Sequence, residues 1–478
     1  MPRYFVTLIV AVALFMETMD STVIATSLPA IAADLHEDPI ALKLALTSYL
    51  LSLAVFIPLS GWVADRFGAR TVFRAAIVVF TLGSAACGFA QGLADFVLFR
   101  IVQGIGGAMM VPVGRLVILR TVPKSELISA LAWLTIPALM GPVIGPPLGG
   151  FITTFISWRW IFWINIPVGI LGVYLATRYI ANIREEGLPP LDVKGFILSG
   201  IGLAGVAFGI TTIGQGLFPP EAVAGLLAIG ALGCFLYVRH ARTAKAPLID
   251  LQLLKVDTFY ASVVGGFVYR IGLGALPFLL PLFLQLGFGM SALQSGLLTF
   301  ASAAGAVAMK ATAAPILRRF GFKRVLVVNA VISSVFIAAI ALFTETTPHV
   351  VILAVLLVGG FFKSLEFTSI NSLAYADIDS RAMSRATSFA SVAQQLSLSA
   401  GVAVGALVLE IERLQRHDIN VVADDFPAAF ALVAVIAAGS ALIFACLPKE
   451  AGANLSARAR PVGLERRAEA AGEIERVS

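Results

Sequence analysis

Eight charged side chains stand inside otherwise apolar stretches: Glu17, Asp20, Arg100, Arg115, Arg270, Lys310, Lys363 and Glu366. Charge in such surroundings is costly and marks places where protons or charged solutes are handled. Glu17 and Asp20, three residues apart, share one helix face. At low dielectric their charges repel, and desolvation opposes the ionised form, so one of the pair is placed to hold a proton. Depth puts Asp20 within reach of Arg100, either as a coupling pair or as a fixed ion pair that sets helix packing. Lys363 and Glu366 are spaced to neutralise each other at i,i+3. Glu410 lies near a helix end, where water reaches it. His36, His240, His349 and His417 all fall between apolar stretches, so within a membrane the acids are the available proton carriers. Cys87, Cys234 and Cys446 show neither a disulfide framework nor a metal spacing.

The elements that position these groups must be solvated by lipid. Hydrophobic residues make up 59% of the chain and charged residues 13%, with a mean hydropathy of +0.92. A soluble domain carries about 25% charged residues. Crossing the hydrocarbon takes about 20 apolar residues as a helix. The chain offers fourteen such runs, near 4–27, 45–64, 72–91, 96–119, 128–153, 161–180, 195–215, 220–238, 259–285, 292–315, 325–344, 350–375, 386–411 and 426–447. Their continuity excludes a membrane β-barrel. The first run is too long, and too acidic, for a cleaved signal peptide.

An even number of spans puts both termini on one side. With that side cytoplasmic, the cytoplasmic segments hold about 25 Lys and Arg and the opposite loops about 4, as the positive-inside rule asks. The net charge of +6 therefore reports loop topology rather than nucleic-acid binding. Trp158, Trp160 and Trp163 fall where an outer aromatic belt is expected.

The chain also repeats itself. Asp65-Arg66-Phe67-Gly68-Ala69-Arg70 follows the second run, and Arg318-Arg319-Phe320-Gly321-Phe322-Lys323 follows the tenth. Two halves of six helices explain the repeat if two further helices lie between them. The division is 1–190 and 246–447 for the halves, 191–245 for the inserted pair, and 448–478 for a charged, Ala-rich cytoplasmic tail expected to be disordered.

Gly61-Trp62-Val63-Ala64-Asp65-Arg66-Phe67-Gly68-Ala69-Arg70 resembles the loop signature of the major facilitator superfamily. There Gly61 allows close helix approach, and Asp65 is expected to meet a helix N-terminus or an arginine across the interface between halves, as a gate. Arg319 and Gly321 occupy the matching turn. Arg100 through Gly107 resembles the fourth-helix motif of that superfamily. The run containing Gly141, Pro142, Gly145, Pro146, Gly149 and Gly150 resembles its antiporter motif, a helix able to bend. Met19 through Pro29 and Trp158 through Pro167 resemble the fourteen-helix drug:proton antiporters of the EmrB/QacA type, with Thr26-Ser27 as a mild departure. Val111 through Leu116, Met309-Lys310 and Gln394 through Ser397 resemble the MdtD/HsrA-like group within it.

The resemblance implies an all-α polytopic fold of fourteen helices and a proton-driven exporter of small molecules in a bacterial inner membrane. It also implies a monomer without metal or cofactor. With the inserted pair set aside, seven of the eight charges fall on core helices 1, 4, 7 and 10, which line the central cavity in that superfamily. Asp20, Glu17, Glu366 and Arg100 are the coupling candidates. Arg115, Arg270, Lys363, Glu366 and Asp20 are the cavity candidates. Four deep bases against three acids also fit an exporter of one organic anion, a carboxylate or its metal chelate. A non-transporting receptor or scaffold has no use for charge at mid-membrane. A nucleotide-driven pump lacks its Gly-x-x-x-x-Gly-Lys-Ser/Thr loop, and nothing suggests enzymatic chemistry.

Overall fold

The computed structural model describes residues 5–121, 127–184, 190–213, 218–244, 247–379, 382–416 and 420–453, the side chains at 119 and 127–139 excepted. Thirteen helices among the described residues are long and apolar enough to cross a membrane. A further helix, Leu127–Phe155, contains no charged residue and sits fifth in order. Numbered along the chain they are α1 (Phe5–Leu35), α2 (Lys43–Phe67), α3 (Ala69–Cys87), α4 (Leu93–Thr121), α5 (Leu127–Phe155), α6 (Trp160–Tyr179) and α7 (Val193–Thr212). There follow α8 (Pro220–Ala241), α9 (Asp257–Gly287), α10 (Ala292–Phe320), α11 (Phe322–Ile340), α12 (His349–Leu373), α13 (Met383–Gln415) and α14 (Ala423–Ala445). Short connections make neighbours antiparallel. One end of the bundle, here the terminal end, holds Phe5, Ala445 and the turns after α2 and α10; the other is the far end.

Packing repeats between two six-helix groups. In the first, α4 lies against α2 and α3, and α1 against α5 and α6; in the second, α12 lies against α10 and α11, and α9 against α13 and α14. The groups meet along a seam made by α2 with α13 and α5 with α10. The inserted α7 and α8 form a hairpin lying along α2 and α13. Asp192 caps the start of α7 through Gly195 N–H and bonds His240 Nε2 at the end of α8, tying the hairpin shut. Leu82, Ile170, Leu342 and Leu442 stand exposed around the perimeter, as lipid-facing residues should.

Local chemistry explains the joints. The turns after α2 and α10 both require a positive φ, 95° at Gly68 and 78° at Gly321, which a side chain would strain. A capping box of Ser291 and Gln294 starts α10. Two segments of α9, Ala261–Gly265 and Phe283–Gly287, are π-helical, a widening often found at functional sites. Two expectations change. Trp158 is buried against Phe96 and Phe162 rather than standing in a belt, because its indole N–H reaches Asp34. The start of the tail packs back on the bundle, where Gly452 lies against Phe322. The remainder of the tail, and His417, lie outside the described residues.

Candidate functional site

In the first half, Asp20 on α1 is fully buried and surrounded by donors. Arg100 Nη1 on α4 donates to its Oδ2 at 2.7 Å, while Gln103 Nε2 and Asn165 Nδ2 of α6 donate to Oδ1 at 2.8 and 3.0 Å. Arg100 also donates to Gln103 Oε1 at 2.6 Å and to Ala45 O, and lies 4.2 Å over the Tyr49 ring. Tyr49 OH in turn donates to Glu17 Oε1 at 3.0 Å. Asn165 is held by Ser84, whose hydroxyl reaches Phe162 O. Four helices, α1, α2, α4 and α6, thus converge on one ion pair. An arginine and a carboxylate buried together need this completeness, since losing one partner leaves the other charge uncompensated.

The second half is built differently. Arg270 on α9 is 3% exposed and donates from Nη2 to Asn371 Oδ1 at 2.8 Å, with its Cζ 5.4 Å from the Phe367 ring centre; its Nε is buried without a partner. Lys363 and Glu366 do not neutralise each other. Lys363 Nζ donates to Ser302 Oγ of α10 at 2.8 Å, whereas Glu366 turns to α11 and accepts from Asn329 Nδ2 at 2.8 Å. Three residues is not a full helical turn, so neighbours on one stripe still diverge to different partners. Glu366 therefore faces the α11 contact rather than a central cavity. Lys310 donates to Thr368 Oγ1 and is exposed, as is Arg115 near the terminal end of α4.

At the turns, Asp65 pairs with Arg120 at 2.7 Å. This partner belongs to its own half, so the expected pairing across the seam is replaced by one to the neighbouring end of α4. Gly68 packs on the Asn182 side chain, and Arg70 reaches Ile180 O, just as Lys323 reaches Leu447 O in the other half. Gly61 is open, Arg66 is exposed, and Arg319 and Arg324 flank the Phe320 ring. Gly141, Gly145 and Gly149 of α5 lie against Thr18, Thr22 and Thr26 of α1, and Gly150 lies against the backbone of Ala292 and Leu293 across the seam. Pro146 O is 3.4 Å from Thr26 Oγ1, and Pro142 stands about one turn before it.

Polar contacts across the seam cluster at the far end. Gln285 donates to Thr26 O, and Leu293 N–H to Thr154 Oγ1. Arg413 pairs with Asp38 and, at 2.8 and 2.9 Å, with both oxygens of Glu410. Glu410 is buried rather than wet, as is Lys43. Gln103, Asn165, Tyr49 and Ser84 carry no obvious signal beyond being polar residues in apolar runs, and Gln103 and Asn165 sit within motifs already noted.

Two repeated helical groups that meet along one seam, with charge buried at mid-depth in each, define a multi-pass membrane transporter. The chain belongs to the Major Facilitator Superfamily, whose sequence pattern matches residues 10–402 and again 262–471. A Yersinia enterocolitica protein with the provisional name multidrug resistance protein MdtD is 38% identical over 449 residues, covering 93% of this chain and 95% of its own. Its Escherichia coli namesake is 37% identical over 454 residues, covering 94% and 95%. Among solved structures, a D-xylose-proton symporter matches with a TM-score of 0.67 at 15% identity over 94% of this chain and 99% of its own. The nucleoside transporter NupG matches at 0.65 and 14% over 92% and 98%.

Proposed function

We propose that the chain is a proton-coupled exporter of small molecules across a bacterial inner membrane, of multidrug type, working as a monomer with both termini cytoplasmic. The observation that carries this reading is Asp20, buried on α1 and held by Arg100, Gln103 and Asn165. Every partner of this carboxylate is a donor. Adding a proton removes the charge that holds Arg100 and turns an acceptor into a donor, so the contacts among α1, α4 and α6 must rearrange. The glycine stripe of α5 rides on α1 and carries the change to the seam. Glu17 is linked through Tyr49 and gives the proton a second stop toward the terminal end. No cofactor is called for, because each 100 mV of membrane potential supplies about 2.3 kcal/mol per charge moved. The names of the MdtD relatives support the substrate class.

A second reading, export of one organic anion such as a carboxylate or its metal chelate, is favoured by Arg270, whose partners are a neutral amide and a ring. Proton flux in proteoliposomes separates the readings. Wild type beside Asp20→Asn is challenged with lipophilic cations and with organic acids. Flux with cations, reduced at least about tenfold in Asp20→Asn, supports coupled multidrug export. Flux with acids alone moves the assignment to an anion exporter, and flux unchanged in Asp20→Asn removes Asp20 from the mechanism.

A further inference from the structure

Glu366 is fully buried, and one of its oxygens has no partner. Its Oε2 accepts from Asn329 Nδ2 at 2.8 Å, and Oε1 has no donor. Asn329 has the matching defect: it is buried, and its Oδ1 is also without a donor. The amide cannot be turned to mend this. Asn329 Nδ2 also donates to Phe362 O at 2.9 Å, and a carbonyl only accepts, so nitrogen must stand where it does. Two acceptors on the same two side chains are thus left facing a shortage of one hydrogen. A buried acceptor without a donor costs about 1–3 kcal/mol, and a buried carboxylate without a cation far more.

The charged and titratable neighbours do not relieve it. Tyr269 of α9 gives its hydroxyl hydrogen to Ser333 of α11, and neither Arg270 of α9, bonded to Asn371, nor Lys363 of α12, bonded to Ser302 of α10, donates to Glu366. One proton on Oε1, shared with Asn329 Oδ1, would satisfy both orphan atoms at once.

We propose that Glu366 is a proton-binding site separate from Asp20, a neutral carboxylic acid whose Oε1–H donates to Asn329 Oδ1. With the bond already present, acid and amide then form a two-bond pair that fastens α12 to α11. The proton is shut in between these helices and stays bound through the transport cycle. Glu366 is in that case a structural lock in the second half, outside the coupling path.

The purified full chain in lipid tests this without any substrate. Infrared spectra at neutral pH should show a carboxylic-acid carbonyl band that disappears in Glu366→Gln. Absence of a difference between the two overturns the proposal, because the carboxyl would then be ionised. Glutamine keeps the pair, its N–H replacing the O–H, so Glu366→Gln should transport within about twofold of wild type, since nothing uniquely provided by the acid is lost. A loss of coupled flux in Glu366→Gln, with folding intact, also overturns the lock. Glu366→Leu, which leaves the Asn329 amide facing an apolar side chain, should be less stable than Glu366→Gln; equal stability of the two argues against the pair. The infrared result stands whatever substrate is carried, so it fails separately from the transport reading.

Discussion

The two halves use one scaffold and fill it with opposite chemistry. Both turn at a positive-φ glycine and fasten the following helix through a basic side chain to a backbone carbonyl, Arg70 to Ile180 and Lys323 to Leu447. Counted from those turns, Gly106-Gly107 stands opposite Gly359-Gly360, and Glu17 opposite Arg270. The charges are not repeated. Asp20 has a cation and two amides, while Glu366 has one amide and no cation. Helix packing needs the same small residues in both halves, whereas the proposed proton coupling needs a charge that can be relieved in only one. The lesson is that a repeat conserves geometry and leaves function free to differ.

This contrast can be broken by substitution, with unfolding in detergent as the measure. The largest effect belongs to Arg100→Ala, which strands the Asp20 carboxylate and should cost about 3–5 kcal/mol. Arg270→Ala removes a cation bound only to neutral groups and should cost about 1–2 kcal/mol. Equal losses at both positions would mean that the two centres are alike after all. Next come the glycines. A methyl at Gly360 would run into the backbone oxygen of Ser302, whereas at Gly107 it would meet the Tyr49 hydroxyl at 3.0 Å, the yielding end of a side chain. Gly360→Ala should therefore cost about 1–3 kcal/mol and Gly107→Ala less, with its effect showing instead in coupling through Glu17. The smallest effect is at Lys310, exposed and bonded to one hydroxyl, where Lys310→Ala should stay within about 0.5 kcal/mol.

Depth and rotation were not equally legible in the sequence. Runs of apolar residues report how far along a helix a side chain lies, so the spans, the two repeated turns and the meeting of Asp20 with Arg100 could all be read. Runs say little about which neighbour a side chain faces. Lys363 and Glu366 share a depth yet reach α10 and α11 respectively, and Asp65 finds Arg120 rather than a partner across the seam. Glu410 misled for a related reason. Its position near a helix end suggested water, but α13 lies in the seam there, and Arg413 accompanies it. The donors around Asp20 were hidden because a lone Gln, Asn or Tyr in an apolar run is chemically silent until the fold assembles its neighbours.

The glycine stripe of α5 has a mechanical consequence. Three contacts with the threonines of α1 join the two helices into a single beam, and Gly150 rests that beam on the backbone of Ala292 across the seam. If that beam tilts about its contact at Gly150, its fulcrum lies at the far end. From Gly150 to Leu127 its arm measures about 35 Å at the helical rise, so a tilt of about 10° would swing the terminal end by about 6 Å. On the proposed coupling, a rearrangement of a few atoms beside Asp20 would be geared up into an opening of that size at the terminal end.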